Sequence, residues 1–252
     1  MITMPTLRTY LRHALPLAAV VALPLVYIGS LAQTGGEEPA LIQAGARLVA
    51  EGNGNGTVAC ARCHGFDGAS DGSGAFPILA RQSAAYLNKQ LHDYASGARD
   101  NAVMSNIAKR LTPQEMNAVS LYYQSRRPDL LLKSTRNQAA VSRGEELAYI
   151  GQLSPRVQSC VSCHGPEGRG EPPSVPYLSG QYQSYIRGQL EAYRRGFRVN
   201  PQMGVIGHNL SRQDAEAVAA YFSQLSIPNL TTEPTHGPTQ AVSTARTPST
   251  SR

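Results

Sequence analysis

The sequence predicts an all-α protein of two similar domains in tandem, with a membrane-addressing segment before them and a polar tail behind. Three observations predict it. The chain repeats itself at an offset of 99–100 residues, and its repeated segments carry apolar side chains at helical spacing. A Cys-x-x-Cys-His motif occurs once in each repeat and uses all four cysteines. Internal repeats decide architecture before any local reading does.

The repeat is dense. Gly45 aligns with Gly144, Leu48 with Leu147, Pro77 with Pro176 and Leu79 with Leu178. Gln82, Tyr86, Gln90, Leu91, Tyr94 and Gly97 align with Gln181, Tyr185, Gln189, Leu190, Tyr193 and Gly196. Met104 aligns with Met203 and Tyr122 with Tyr221. One residue is inserted before the second Cys-x-x-Cys-His. The expected units are a signal peptide or anchor at 1–33, domain 1 at 36–128, a linker at 129–136, domain 2 at 137–228 and a disordered tail at 229–252.

In chain order, Arg8, Arg12 and His13 precede an uncharged stretch from Ala14 to Ala32, and Ser30-Leu31-Ala32 fits a small-x-small cleavage site. A cleaved signal is the preferred reading and a retained anchor the alternative, since the stretch is also just long enough to span a bilayer. Either places the remainder across a membrane, soluble in the periplasm or tethered by residues 14–32. The first helix of each domain is expected over Pro39–Glu51 and Gln138–Gly151, with Leu41, Ala44 and Leu48 on one face. Gly45 and Gly144 cost a helix about 1 kcal/mol each against alanine, which points to close approach by the last helix near Tyr122 and Tyr221; the alternative is a tolerated exposed glycine. The middle helices are expected near Ser83–Ser96 and Gln183–Arg195, stopped by Gly97 and Gly196. Loops holding Met104 and Met203 follow. The last helices open on Thr112-Pro113-Gln114-Glu115 and Ser211-Arg212-Gln213-Asp214, each a capping-box pattern, although aspartate is the shorter substitute. Beyond Pro228 the chain is rich in Thr, Pro and Ser and cannot bury enough surface to order itself.

Composition excludes several classes. The net charge of +6 is modest. Between residues 34 and 230 it comes from 19 basic and 16 acidic side chains, a net of +3. No basic stripe or aromatic-basic interleaving indicates nucleic acid. Four cysteines could form two disulfides, and a Cys-x-x-Cys pair could be a redox dithiol or half a zinc site. The histidine directly after each second cysteine favours covalent attachment of two c-type haems, one at Cys60, Cys63 and His64, the other at Cys160, Cys163 and His164.

A haem iron that only carries electrons needs an axial ligand on each face, and methionine is the usual partner of histidine in such carriers. Met104 and Met203 lie 40 and 39 residues after their histidines. Met116 aligns with Ala215 and reads as packing. His92, His208 and His236 have no matching histidine in the other half. Pro77 and Pro176 are candidates to accept the Nδ1–H of the ligand histidine, which fixes the ring and raises its basicity; the alternative is a plain turn. Tyr86, Gln90, Tyr185 and Gln189 either donate to haem propionates or only shape the pocket.

These residues resemble the dihaem cytochrome c4 family of tandem class I c-type cytochromes. The resemblance covers about residues 36–228. It rests on both Cys-x-x-Cys-His-Gly sites, on Phe76–Gln82 and Pro176–Gln181, on the Tyr-Leu/Ile-x-x-Gln-Leu helices and on the Asn-x-x-Met segments Asn101–Met104 and Asn200–Met203. Arg81 departs from the family's Leu-Ala-Gly-Gln and puts a long cation near where a propionate would lie. The resemblance implies two class I cytochrome c domains related by a pseudo-twofold axis, with propionate edges facing at the interface. It implies one-electron transfer between redox partners, from quinol–cytochrome c reductase to a terminal oxidase, with no small-molecule substrate. The alternative is the cytochrome subunit of a flavocytochrome sulfide dehydrogenase or another periplasmic dehydrogenase. A dihaem peroxidase would need an open iron position, against which both methionines count.

Overall fold

The computed structural model describes residues 34–130 and 137–226. The expected signal or anchor, most of the linker and the expected tail lie outside them. Each half opens on a long helix, α1 (Thr34–Glu51) and α6 (Gln138–Tyr149). One short turn of helix follows, α2 (Ala61–His64) or α7 (Val161–His164), the latter running into a 3-10 turn at Pro166–Gly168. The middle helices are α3 (Ala84–Ser96) and α8 (Gln183–Arg194). Short helices α4 (Met104–Ala108) and α9 (Pro201–Asn209) come next, and α5 (Pro113–Ser125) and α10 (Arg212–Ser223) end the halves. Among the described residues the only β pairings are three isolated bridges.

Local chemistry sets these boundaries. Gly97 ends α3 in the left-handed region at φ 85°, which glycine adopts without steric cost. Thr112 and Glu115 close a full capping box on α5: Glu115 N donates to Thr112 Oγ1 at 3.2 Å and Thr112 N to Glu115 Oε2 at 2.7 Å. In the second half Asp214 is one methylene too short to return to the backbone. It accepts from the Ser211 hydroxyl at 2.8 Å and from Arg143 Nε at 2.9 Å instead.

Both halves pack alike. The first helix lies along the last, and the middle helix packs on the last helix and on the short one. Val49, Leu87, Val119, Tyr122 and Tyr123 form the first core. Leu147, Val157, Ile186, Leu190 and Phe222 are prominent in the second. Gly45 and Gly144 sit at the helix crossings. A Cβ on Gly45 would stand 2.2 Å from Ala118 O, and one on Gly144 would stand 2.1 Å from Ala217 O. The close approach that the two glycines predict is present in both halves.

Matched glutamines knit the halves together. Gln181 takes both backbone groups of Ile78, accepting from its N–H at 3.0 Å and donating to its carbonyl at 2.9 Å. Gln82 donates to Tyr177 O at 3.2 Å. The buried Tyr177 hydroxyl donates to Ala80 O, Tyr182 to Ala69 O and Ser184 to Gly74 O. Arg99 and Arg198 face each other as an antiparallel bridge, flanked by Val199 N donating to Ala98 O and Asp100 N to Phe197 O.

Candidate haem sites and the arginine seam

Each Cys-x-x-Cys-His folds as one helical turn, which puts both thiols and the imidazole on a single short segment. His64 N and His164 N donate to the carbonyls of Cys60 and Cys160 at 3.0 and 2.9 Å. The four cysteines form no disulfide. Burial pushes the Cys60 and Cys160 thiols up to about 11. A redox dithiol needs the opposite at its attacking cysteine, a lowered thiol pKa. Among the described residues no three His, Cys, Asp or Glu side chains cluster as a metal site would require.

Both histidines are buried. His64 Nδ1 lies 3.3 Å from Pro77 O and His164 Nδ1 lies 2.9 Å from Pro176 O. Burial lowers both imidazole pKa values, outweighing these hydrogen bonds, which raise them. The rings are therefore held neutral, with Nδ1 occupied and Nε2 left as the donor atom. Phe76 and Tyr123 meet the His64 ring edge-on at 6.1 and 6.5 Å.

Met104 and Met203 lie on the first turns of short helices rather than in open loops. A matched asparagine stands three residues before each methionine: Asn200 caps α9, and Asn200 Oδ1 and Asn101 Oδ1 each accept from the methionine N–H at 2.9 Å. Met203 packs against the second core, as Cys160 and Val161 also do. Met116 is buried in α5, as a packing residue should be.

The middle-helix residues have partners that their pattern did not disclose. Arg99 Nη2 donates to the Tyr185 hydroxyl at 2.8 Å and to Gln189 Oε1 at 2.6 Å, and its Nη1 donates to Gln90 Oε1 at 2.9 Å. Arg198 mirrors it, donating to the Tyr86 hydroxyl at 2.6 Å, Gln90 Oε1 at 2.7 Å and Gln189 Oε1 at 3.1 Å. Each guanidinium also lies over a tyrosine of its own half, Tyr94 at 4.5 Å and Tyr193 at 4.6 Å. Both arginines are buried, and none of the ion pairs among the described residues involves either. The surroundings feel this excess charge. Burial alone would raise the Tyr185 phenol, yet Arg99 and Arg198 hold it below its ordinary value.

Two buried cations with only neutral partners are costly unless an anion joins them. Haem propionates reaching this seam would supply such anions, so the residues present fit the group. The arginines were readable as an identical pair at the repeat offset, two residues after each matched glycine. Arg81 takes the left-handed conformation, at φ 66°, that Gly180 takes at 69° in the other half. Its Nε is buried without a hydrogen-bond partner.

The comparisons agree with this geometry. The cytochrome c family model matches residues 42–126 and 151–226. The thiosulfate dehydrogenase electron acceptor of Stutzerimonas stutzeri strain A1501 is 37% identical over 213 residues, covering 83% of this chain and 94% of the relative. The solved thiosulfate dehydrogenase TsdBA from Marichromatium purpuratum superposes with a TM-score of 0.68 at 36% identity. That match covers 74% of this chain but only 40% of TsdBA. Reduced recombinant cytochrome c4 from Pseudomonas stutzeri gives a TM-score of 0.64 at 30% identity, over 73% of this chain and 98% of that one.

Proposed function

The chain belongs to the cytochrome c family, as a tandem dihaem member of the cytochrome c4 type, and from that premise we propose that it takes single electrons from a thiosulfate-oxidising dehydrogenase and hands them to a further redox protein. It carries two covalently attached haem c groups, which supply one-electron exchange at iron. Cys60, Cys63, His64 and Met104 would hold the first, and Cys160, Cys163, His164 and Met203 the second. Pro77 and Pro176 orient the imidazoles through Nδ1. Arg99 and Arg198 would neutralise propionates that reached the seam. Its work is electron transfer and not catalysis on a substrate, in the periplasm.

One observation supports the carrier reading above others. Both halves hold a buried histidine fixed at Nδ1 and a methionine whose N–H is held by an asparagine three residues before it. Two such ligands would leave no open iron position for peroxide or another substrate. Similarity over 94% of a thiosulfate dehydrogenase electron acceptor supports the donor. A match across 98% of a cytochrome c4 supports a second reading, a carrier between a quinol-oxidising complex and a terminal oxidase.

Stopped-flow reduction of the oxidised holoprotein separates the two. Purified thiosulfate dehydrogenase with thiosulfate is expected to reduce both haems, with a larger second-order rate constant than quinol–cytochrome c reductase with quinol. The reverse order selects the second reading.

A further inference from the structure

We propose that the second half docks the electron-donating protein through an apolar strip of Tyr149, Ile150, Leu153 and Val205, which the first half lacks. The proposal rests on the carrier reading and adds which half meets the donor, and with what surface.

Leu153 is 96% exposed, Ile150 76%, Val205 60% and Tyr149 45%. Single exposed apolar side chains are ordinary, but three of these four lie within five consecutive residues, and the fourth is on the helix that hydrogen-bonds to the loop they lead into. Residues 150–157 form a loop closed by backbone pairing of Gln152 with Val157. Asn209 lies one helical turn from Val205, on the same face of α9, and donates to Arg156 O in that loop at 2.6 Å. The edge also joins the two segments that carry the second site. The loop runs on into Cys160, and α9 bears Met203.

The duplication provides an internal control. At the repeat offset Tyr149, Ile150, Leu153 and Val205 become Ala50, Glu51, Gly54 and Asn106. The first half builds the same edge from polar contacts: Asn53 Nδ2 donates to Arg110 O at 2.9 Å and Arg110 Nη1 to Gly56 O at 2.7 Å. Folding therefore does not require apolar side chains there. At these four positions the second copy exposes large apolar side chains and the first does not, its own exposed apolar residues Val58, Phe66 and Val103 standing at other repeat positions; a functional contact explains the difference. The sole charge on residues 150–157 is Arg156, and α9 holds no Asp, Glu, Lys or Arg. The complementary partner is a redox protein with an apolar face and a carboxylate at its rim opposite Arg156.

The test measures reduction of wild type and of Ile150→Ser/Leu153→Ser/Val205→Ser. The reductants are thiosulfate dehydrogenase, quinol–cytochrome c reductase and the small complex hexaammineruthenium(II). The rate constant with the protein that reduces wild type is expected to fall about tenfold or more. The rate with the ruthenium complex, and both rates of the mirror variant Glu51→Gln/Asn106→Ser, should match wild type. Wild-type rates with the protein reductants overturn the proposal. So does equal loss with the ruthenium complex, which indicates damage to the site. Sedimentation velocity showing a wild-type dimer that the triple variant dissolves assigns the strip to a second copy and overturns it. Loss of wild-type binding to phosphatidylglycerol vesicles assigns the strip to lipid and also overturns it. If thiosulfate dehydrogenase does not reduce wild type, the donor reading fails, and the strip is judged by the quinol-oxidising reductase. A wild type that neither protein reduces overturns both.

Discussion

Gly144→Ala is expected to destabilise the holoprotein by about 2–3 kcal/mol, the upper part of the range for overpacking a core. The new Cβ would lie 2.1 Å from Ala217 O, 2.6 Å from its carbonyl carbon and 2.8 Å from Tyr221 Cβ. Two of these atoms are backbone, so α6 and α10 must separate along the main crossing of the second half. Alanine's intrinsic helix advantage, about 1 kcal/mol, does not offset that. Gly45→Ala meets Ala118 O at 2.2 Å and should behave alike. Gly188→Ala is the control: this glycine is also inside a helix, yet its Cβ would meet nothing within 4 Å. It should be neutral or slightly stabilising. Thermal unfolding followed by circular dichroism reads the difference, about 4–8 °C per kcal/mol for a domain of this size. A Gly144→Ala midpoint at or above wild type would show that the crossing is not the constraint described here.

Arg99→Met should weaken the seam and lower the haem potentials together. Methionine roughly preserves the apolar stem while removing the charge and three donated hydrogen bonds to Gln90, Tyr185 and Gln189. If propionates complete the seam, the substitution leaves buried anions short of a cation, and breaking a buried ion pair typically costs about 3–5 kcal/mol. Loss of a nearby positive charge also favours the ferric state, so reduction should require a lower potential. Arg198→Met should act in the same direction. The double variant should fall short of the sum, because both arginines share the oxygens of Gln90 and Gln189. Redox titration with chemical denaturation checks this. Titration curves superposable on wild type would remove Arg99 from the environment of the haems.

The repeat makes most of the fold legible in the sequence. It located the helices in register and gave Gly45 and Gly144 a purpose, because paired glycines inside helices need a steric reason. The haem motifs were equally plain, since two thiols and an imidazole on one turn serve few other chemistries. The seam was harder to see. Tyr86, Gln90 and their twins suggested propionate donors or pocket walls, and the structure turns them onto arginines of the two halves. Arg99 and Arg198 escaped notice because arginine is ordinarily a surface residue; burial follows only from the docking of the two halves, which periodicity does not encode. The methionine segments looked like loops because α4 and α9 are too short to show a helical period. The apolar strip lies in the differences between the repeats, which the matched positions do not carry.

The near-infrared methionine–iron charge-transfer band of the oxidised protein tests the central claim most directly. With intact mass showing two haems per chain, the account predicts the band in wild type, about half its intensity in Met104→Ala and in Met203→Ala, and none in the double variant. A wild type without the band, or a single variant that retains all of it, would contradict a site closed by histidine and methionine in each half.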